Sequence, residues 1–312
     1  MMKINNIILG VALLAGGLMS CEPYEDYIED FDYTIVYFGS QKPLRTIVAY
    51  DEMEFKVGVA MGGKRTSEVQ EYADFVVDPS LLEDEAFTGG NEFVLLPESY
   101  YTLSDDSRML IPAGKYIGDI TVSLNRENFT NDPDATSNTY ALPIRITASS
   151  LDSIASGSYD DLGNVINPPK NYTILVVKYI SPYSGTYYHK GAQVELDENG
   201  EVVNEVVYNN QDLIKNATWN LSTITRNQVL TPQVGNNQSG SIILTVDEDS
   251  NLVSISTEDD QIQDLQGQGT YSEDESAFYI EYSFMKNEAD YLVKDTLIIR
   301  QAPELDLGFE EW

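Results

Sequence analysis

Short segments rich in Val, Ile, Thr, Tyr and Phe recur along nearly the whole chain, parted by turn residues. Apolar residues repeating at a period of two cannot share one face of a helix, so the fold must be built from sheets. Residues 34–38, 54–59, 119–124, 140–147 and 172–177 read as strands of a first half. Pro143 should place its strand at a sheet edge or a bulge, because proline has no N–H to give to a ladder. Residues 78–85 are the best short helix, with Pro79 in the first turn and acids around it. Residues 150–170 form a long hairpin connection on this reading, since 172–177 still has core-strand character. Strand character then stops at Tyr179-Ile180-Ser181-Pro182, where proline forbids its simple continuation. Beyond it come hairpins at residues 193–203, around Asn199-Gly200, and 241–256, around 247–251. Residues 218–221, 269–271, 278–284 and 295–299 complete a series of about eight strands, which suits an up-and-down barrel or a sandwich.

The N-terminus has a different character. Lys3 precedes an apolar run from Ile7 to Met19, too short for a stable membrane span and of signal-peptide length. It ends Leu18-Met19-Ser20-Cys21, and Cys21 is the only cysteine. This string resembles the bacterial lipobox, which implies cleavage after residue 20 and lipidation of Cys21. Residues 21–32 are then an acidic tether, and an acidic stretch behind an acylated cysteine resembles the surface-export signal of Bacteroidetes lipoproteins. Cleavage leaves 292 of 312 residues, enough for two domains, with no thiol pair for a disulfide.

Charge excludes several partners. Without Lys3 the chain keeps 17 of its 18 bases against all 51 acids. Nucleic acid and anionic lipid headgroups both demand clustered Lys and Arg, so neither is an expected ligand, and only a lipid anchor should meet the membrane.

A family resemblance sharpens the domain reading. The lipobox, Asp78-Pro79 with Leu81-Leu82, Leu96-Pro97 with residues 100–103, Ile111-Pro112-Ala113-Gly114 and residues 140–146 resemble a two-domain lipoprotein family of gut Bacteroidetes. The resemblance implies an immunoglobulin-like β-sandwich at residues 33–179. Tyr183-Ser184-Gly185-Thr186-Tyr187 opens the second half as in that family's lipocalin-like β-barrel domain, here residues 180–312. Such proteins tend to be encoded in polysaccharide-utilisation loci, beside an outer-membrane transporter. The resemblance therefore implies a surface glycan-binding or accessory role, transporter-complex proteins as partners, and no catalytic residues.

The motifs agree with a non-enzyme. His189 is the only histidine, so sites with two histidine ligands are excluded, and it reads as a surface or barrel-rim residue. The acids are too numerous for any carboxylate pair to be informative. Residues 197–201 and 247–251 alternate oxygen donors but lack an EF-hand's length, and fit hairpin turns better than calcium sites. Gly267-Gln268-Gly269 lacks the strand–loop–helix setting of a phosphate cradle. No metal or cofactor is expected. Asp152-Ser153-Ile154, in an expected loop, and Asp295-Thr296-Leu297, in an expected strand, resemble an O-glycosylation sequon.

Aromatic and amide side chains remain. The chain has 21 Tyr and 2 Trp, residues whose rings stack on the apolar face of a sugar. Trp219, Tyr187, Tyr188, Tyr208 and Tyr271 are the glycan-binding candidates, although strand aromatics more often pack a core. Asn227-Gln228, Gln233 and Asn236-Asn237-Gln238 supply neutral hydrogen-bonding groups, and Trp312 should be exposed or folded back on the barrel. The expectation is a lipid-anchored outer-membrane protein, exposed at the cell surface, that binds a polysaccharide or oligosaccharide. The alternatives are an adhesin-like or spacer protein with an exposed apolar edge, and a carrier with an enclosed apolar cavity.

Overall fold

The computed structural model describes residue 31, residues 33–65 and residues 67–312. The expected signal peptide, Cys21 and all of the expected tether except Phe31 lie outside the described residues. The protein is all-β: an immunoglobulin-like sandwich followed by a closed barrel.

One sheet of the sandwich has the order β10 (Ser153–Ile154), β1 (Ile35–Phe38), β3 (Glu54–Gly62), β8 (Ile117–Leu124), β6 (Tyr101–Leu103). The other runs β23 (Glu310–Glu311), β2 (Pro43–Val48), β13 (Tyr172–Ile180), β9 (Tyr140–Ser149), β4 (Glu71–Val77), β7 (Arg108–Ile111), with β5 (Val94–Leu95) also beside β9. Strand alternation builds the core: Phe55, Val57, Val59 and Met61 of β3 and Ile120 and Val122 of β8 point inward. β9 and β13 are apolar on both faces because both are covered. Their outer face carries Leu81 from the helix Ser80–Glu83 and Phe87 from the helix Glu85–Thr88.

Pro143 departs from the edge expectation, since β9 is an interior strand paired with β13 through Pro143–Ile174. Its carbonyl accepts from Asp78 N–H (3.0 Å), so the proline nitrogen faces the same side, where the neighbour changes from β5 to β4. No ladder bond is forfeited there. The 150–170 connection does join antiparallel neighbours, and it carries the hairpin of β11 (Ser158–Tyr159) and β12 (Val165–Asn167). Ser153 is not in an open loop. It pairs with Ile35 in β10 and is half-buried, and Thr34 donates through its N–H and its hydroxyl to Asp152 (2.8 Å each).

The barrel comprises β14 (Gly185–Leu196), β16 (Ala217–Thr225), β17 (Gln228–Val234), β18 (Gln238–Val246), β19 (Leu252–Ser256), β20 (Gln263–Ser272), β21 (Ala277–Lys286) and β22 (Ala289–Ile299). The long β14 pairs first with β16 and then with β15 (Val202–Tyr208), and its register with β22 from Tyr187–Ile299 to Leu196–Asp290 closes the cylinder. Trp219, Tyr187, Phe278 and Phe284 fill the interior with no exposure above 1%. A carrier's enclosed apolar cavity does not fit an interior so occupied.

Residues 303–312 leave the barrel, contrary to their place in the expected 180–312 unit. β23 pairs with Pro43 and Leu44 of β2. Trp312 donates Nε1–H to the Ile174 carbonyl (2.7 Å), meets Phe93 edge-on at 4.7 Å, and lies beneath the Lys42 ammonium at 4.8 Å. The ring closes the apolar outer face of β13, which would otherwise meet water. Trp312→Ala is expected to destabilise the sandwich by about 2–4 kcal/mol, below the full cost of a buried Trp because this ring is half-buried. Calorimetry should show the sandwich melting earlier, while the emission of Trp219, then the only tryptophan, keeps its midpoint.

Candidate functional site

Between sandwich and barrel lies an open cleft of about 1350 Å³. Its sandwich wall is the short helix Arg126–Thr130, fixed at three points. Asn125 caps it by accepting from Asn128 N–H (3.0 Å), Phe129 is fully buried edge-on to Tyr179, and the Tyr179 hydroxyl donates to the Thr130 carbonyl (2.9 Å). Arg126, Thr130 and Asn131 are thereby presented to the cleft.

The barrel wall is made of two turns and one strand. Ser181 locks the linker to the first turn, donating its hydroxyl to Arg226 O (2.7 Å) and its N–H to Thr223 Oγ1 (2.9 Å). Asn227 is held by Val246, which donates N–H to its carbonyl (2.9 Å) and accepts from its side-chain amide (3.2 Å). Asp247 Oδ1 accepts from the N–H groups of Asp249 and Ser250, and Asn251 takes a φ of 57°, so residues 247–251 are a hairpin turn. Residues 197–201 are built alike around Asp197 and Gly200.

Gly267 and Gly269 of β20 stand opposite Tyr282 and Ile280. A Cβ at 267 would lie 2.3 Å from Tyr282 Cβ, and one at 269 would lie 2.6 Å from Ile280 Cγ2. Glycine is what lets these large inner side chains pack against β20, leaving Gln268 exposed on the cleft side.

The lining mixes neutral hydrogen-bonding groups, among them Asn131, Asn227, Gln228, Thr245, Ser254 and Gln268, with Arg126, Arg226 and the acids Glu127, Asp247, Glu248 and Asp249. Charge at its centre is paired. Arg126 contacts Asp51 and lies 3.6 Å from Glu248, while Arg226 bonds Glu248 and donates Nε–H to the Ala49 carbonyl (3.1 Å). A second lobe of about 780 Å³ shares Arg126, Arg226 and Glu248 with the first and adds Tyr50 and Tyr271. Burial and the neighbouring Glu304 push the Tyr50 phenol up to about 12, so it stays a neutral donor near pH 7. Among the described residues there is no cluster of three or more His, Cys, Asp or Glu able to hold a metal, and no helix long and apolar enough to cross a membrane.

A family model for an N-terminal domain matches residues 31–153. The whole fold recurs elsewhere. A Bacteroides ovatus protein of unknown function superposes with a TM-score of 0.75 at 23% identity, over 90% of this chain and 98% of that one, and this likeness shows the fold alone. A multidomain Bacteroides ovatus protein including DUF1735 aligns over 90% of this chain and all of that one, with a TM-score of 0.41 at 13% identity. A third structure from that organism, of a protein provisionally described as carbohydrate binding, aligns over 71% of this chain and 66% of that one, with a TM-score of 0.32 at 17% identity. Neither of the last two carries an argument. None of the curated proteins matches.

The predicted glycan-binding residues do not assemble. Trp219 is fully buried, stacked on His189 at 4.0 Å, with Nε1–H donated to Asn237 Oδ1 (2.9 Å). Tyr187 is also fully buried and donates to the Tyr183 carbonyl (2.9 Å). Both rings point into the barrel, so neither can serve as a stacking platform. Tyr188 is half-buried on the outer face of β14, and Tyr208 lies at the far end of the barrel, bonded to Asp295. Only Tyr271, edge-on to Tyr183 at 4.8 Å, reaches the cleft. The neutral amides divide: Asn227 and Gln228 line the cleft, whereas residues 236–238 lie beyond the opposite end of β17, where the chain turns into β18. His189 is not at the surface, being 1% exposed. Arg126, Thr245, Ser254 and Gln268 were missed, and only the amides carried any prior signal.

Proposed function

We propose that this chain is a glycan-binding surface lipoprotein that holds a neutral or mildly basic polysaccharide or oligosaccharide in the cleft between its two β units. The observation that carries the reading is the lining: a wide, open groove in which amides and hydroxyls surround two arginines that are ion-paired to Asp51 and Glu248. Each amide offers both donors and an acceptor, which matches the paired donor and acceptor character of sugar hydroxyls. At about 1350 Å³ the groove exceeds the roughly 300–1,000 Å³ of ordinary small-molecule sites, which suits a ligand of several sugar units. Tyr50, 44% exposed, and Tyr271 supply ring faces in the second lobe. A net charge of −33 disfavours acidic glycans. The role is capture without chemistry, feeding an outer-membrane transporter, with the acyl group on Cys21 as the anchor.

Gln268→Ala and Tyr50→Ala are each expected to weaken binding about 5- to 30-fold, the cost of one lost contact of about 1–2 kcal/mol, with unchanged circular dichroism. Calorimetry on a bound glycan checks this. Native affinity in both variants would remove the cleft as the site.

A second reading has its own observation. Among the described residues β15 pairs only with β14, and Val202, Val203 and Val207 on it are 62–65% exposed. An apolar edge strand of this kind suits addition of a partner's strand, as an adhesin-like or spacer protein requires.

A further inference from the structure

A second, smaller recess lies at the other end of the barrel. β17 starts beside the cleft at Gln228 and ends six residues later at Val234, so the turn after it lies about 20 Å away. Next to that turn is a recess of about 330 Å³, lined by His189, Tyr208, Asn210, Asn216, Ala217 and Asn237 among others.

Its floor is a costly construction. The imidazole of His189 is sandwiched between Trp219, at 4.0 Å, and Tyr208, at 4.9 Å. Nε2 stands 2.9 Å from Asp295 Oδ1 as an ion-pair contact, and Nδ1 has no hydrogen-bond partner among the described residues. Asp295 is 1% exposed and already accepts from the Tyr208 hydroxyl (2.6 Å) and the Tyr282 hydroxyl (2.8 Å), and Tyr282 in turn accepts from Gly235 N–H (2.8 Å). Gly191 makes the room: a Cβ there would lie 2.5 Å from Asp295 Oδ1 and 3.0 Å from the Tyr208 ring. The wall is preorganised as well. Asn216 donates its amide to the carbonyls of Asn210 and Leu213 (3.0 Å each), and its Oδ1 accepts from Asn210 N–H (2.8 Å).

Buried polar groups are normally paired, and leaving one unpaired costs about 1–3 kcal/mol. Here the protein satisfies the carboxylate and both phenols around the imidazole, yet among the described residues it leaves Nδ1 of that imidazole without a partner, at a recess lined in part by amides. We propose that the recess binds a single neutral, hydroxyl-bearing ring of pyranose size. A ligand hydroxyl entering between Tyr208 and Asn237 donates to Nδ1 of the imidazole, and the amide groups of Asn209 and Asn237 hold the remaining hydroxyls. The site is separate from the cleft and does not depend on it.

His189 is the only histidine, so its imidazole gives a single set of nitrogen-correlated NMR signals. The probes are the methyl glycosides of glucose, galactose, mannose, xylose and N-acetylglucosamine, titrated separately into the chain from residue 22 onward. At least one is expected to shift the His189 signals along a saturable curve. Ala217→Phe, which fills the mouth from an exposed position, is expected to weaken that response at least tenfold without altering the backbone spectrum. Gln268→Ala is expected to leave it intact, which separates this recess from the cleft. If no glycoside of the panel moves His189, or if the response survives Ala217→Phe, the proposal fails.

Discussion

Asp295→Ala is expected to destabilise the barrel by about 3–5 kcal/mol, more than any change at the cleft. The carboxylate is buried and is the common acceptor of Tyr208 and Tyr282, facing His189 as well. Its removal leaves two phenols without acceptors in the interior and opens a cavity beside Gly191. Asp295→Asn keeps the shape and one acceptor oxygen, so it should lose clearly less. Denaturant unfolding followed by tryptophan emission reports the change directly, because Trp219 stacks on the same imidazole. A loss below about 1 kcal/mol in Asp295→Ala would show that the cluster contributes no net stability.

The second large effect appears in alkali. Burial pushes the Tyr183 phenol up to about 12, with Glu248 adding to it. Tyr187 and Tyr282 are held well above the usual tyrosine value, first by burial. Tyr208 is raised by burial and then by the Asp295 charge. In the unfolded chain these groups ionise near pH 10. Above that pH the folded state binds more protons than the unfolded state, so stability falls as pH rises. The contribution is fully present below pH 10 and is lost toward the folded-state values. Each phenol that stays protonated costs about 1.4 kcal/mol per pH unit, so four together approach about 5.5 kcal/mol per unit. Against the 5–15 kcal/mol typical of a domain, the barrel should unfold cooperatively between about pH 11 and 12. Tyrosinate absorbance and circular dichroism should then change in one coincident step. A smooth rise of tyrosinate through pH 10 with the dichroism intact would contradict the burial of these rings.

Much of the fold was legible because strand period and turn residues are local properties. The hairpins at Asn199-Gly200 and at residues 247–251 fall where their turn chemistry put them. The direction of the barrel side chains was not legible. Tyr187, Tyr188 and His189 are aromatic on both faces of one strand, and the interior takes His189, Gln193 and Asp295 along with its apolar residues. Alternation therefore gives no sign of which face is inner. The cleft was hidden for another reason: it exists only because the helix at 126–130 meets turns a hundred residues later, and no spacing in the chain encodes that meeting. Trp312 was equally obscure, its partners being Phe93, Lys42 and the Ile174 carbonyl in the other unit.

The most direct test of the central claim is calorimetric titration of the chain from residue 22 onward against a broad panel of neutral polysaccharides, with Gln268→Ala alongside. The cleft account predicts saturable heat with at least one glycan and weaker binding in the variant. No heat across the panel, or equal heat in both proteins, would contradict it and direct the search to a protein partner at the β15 edge.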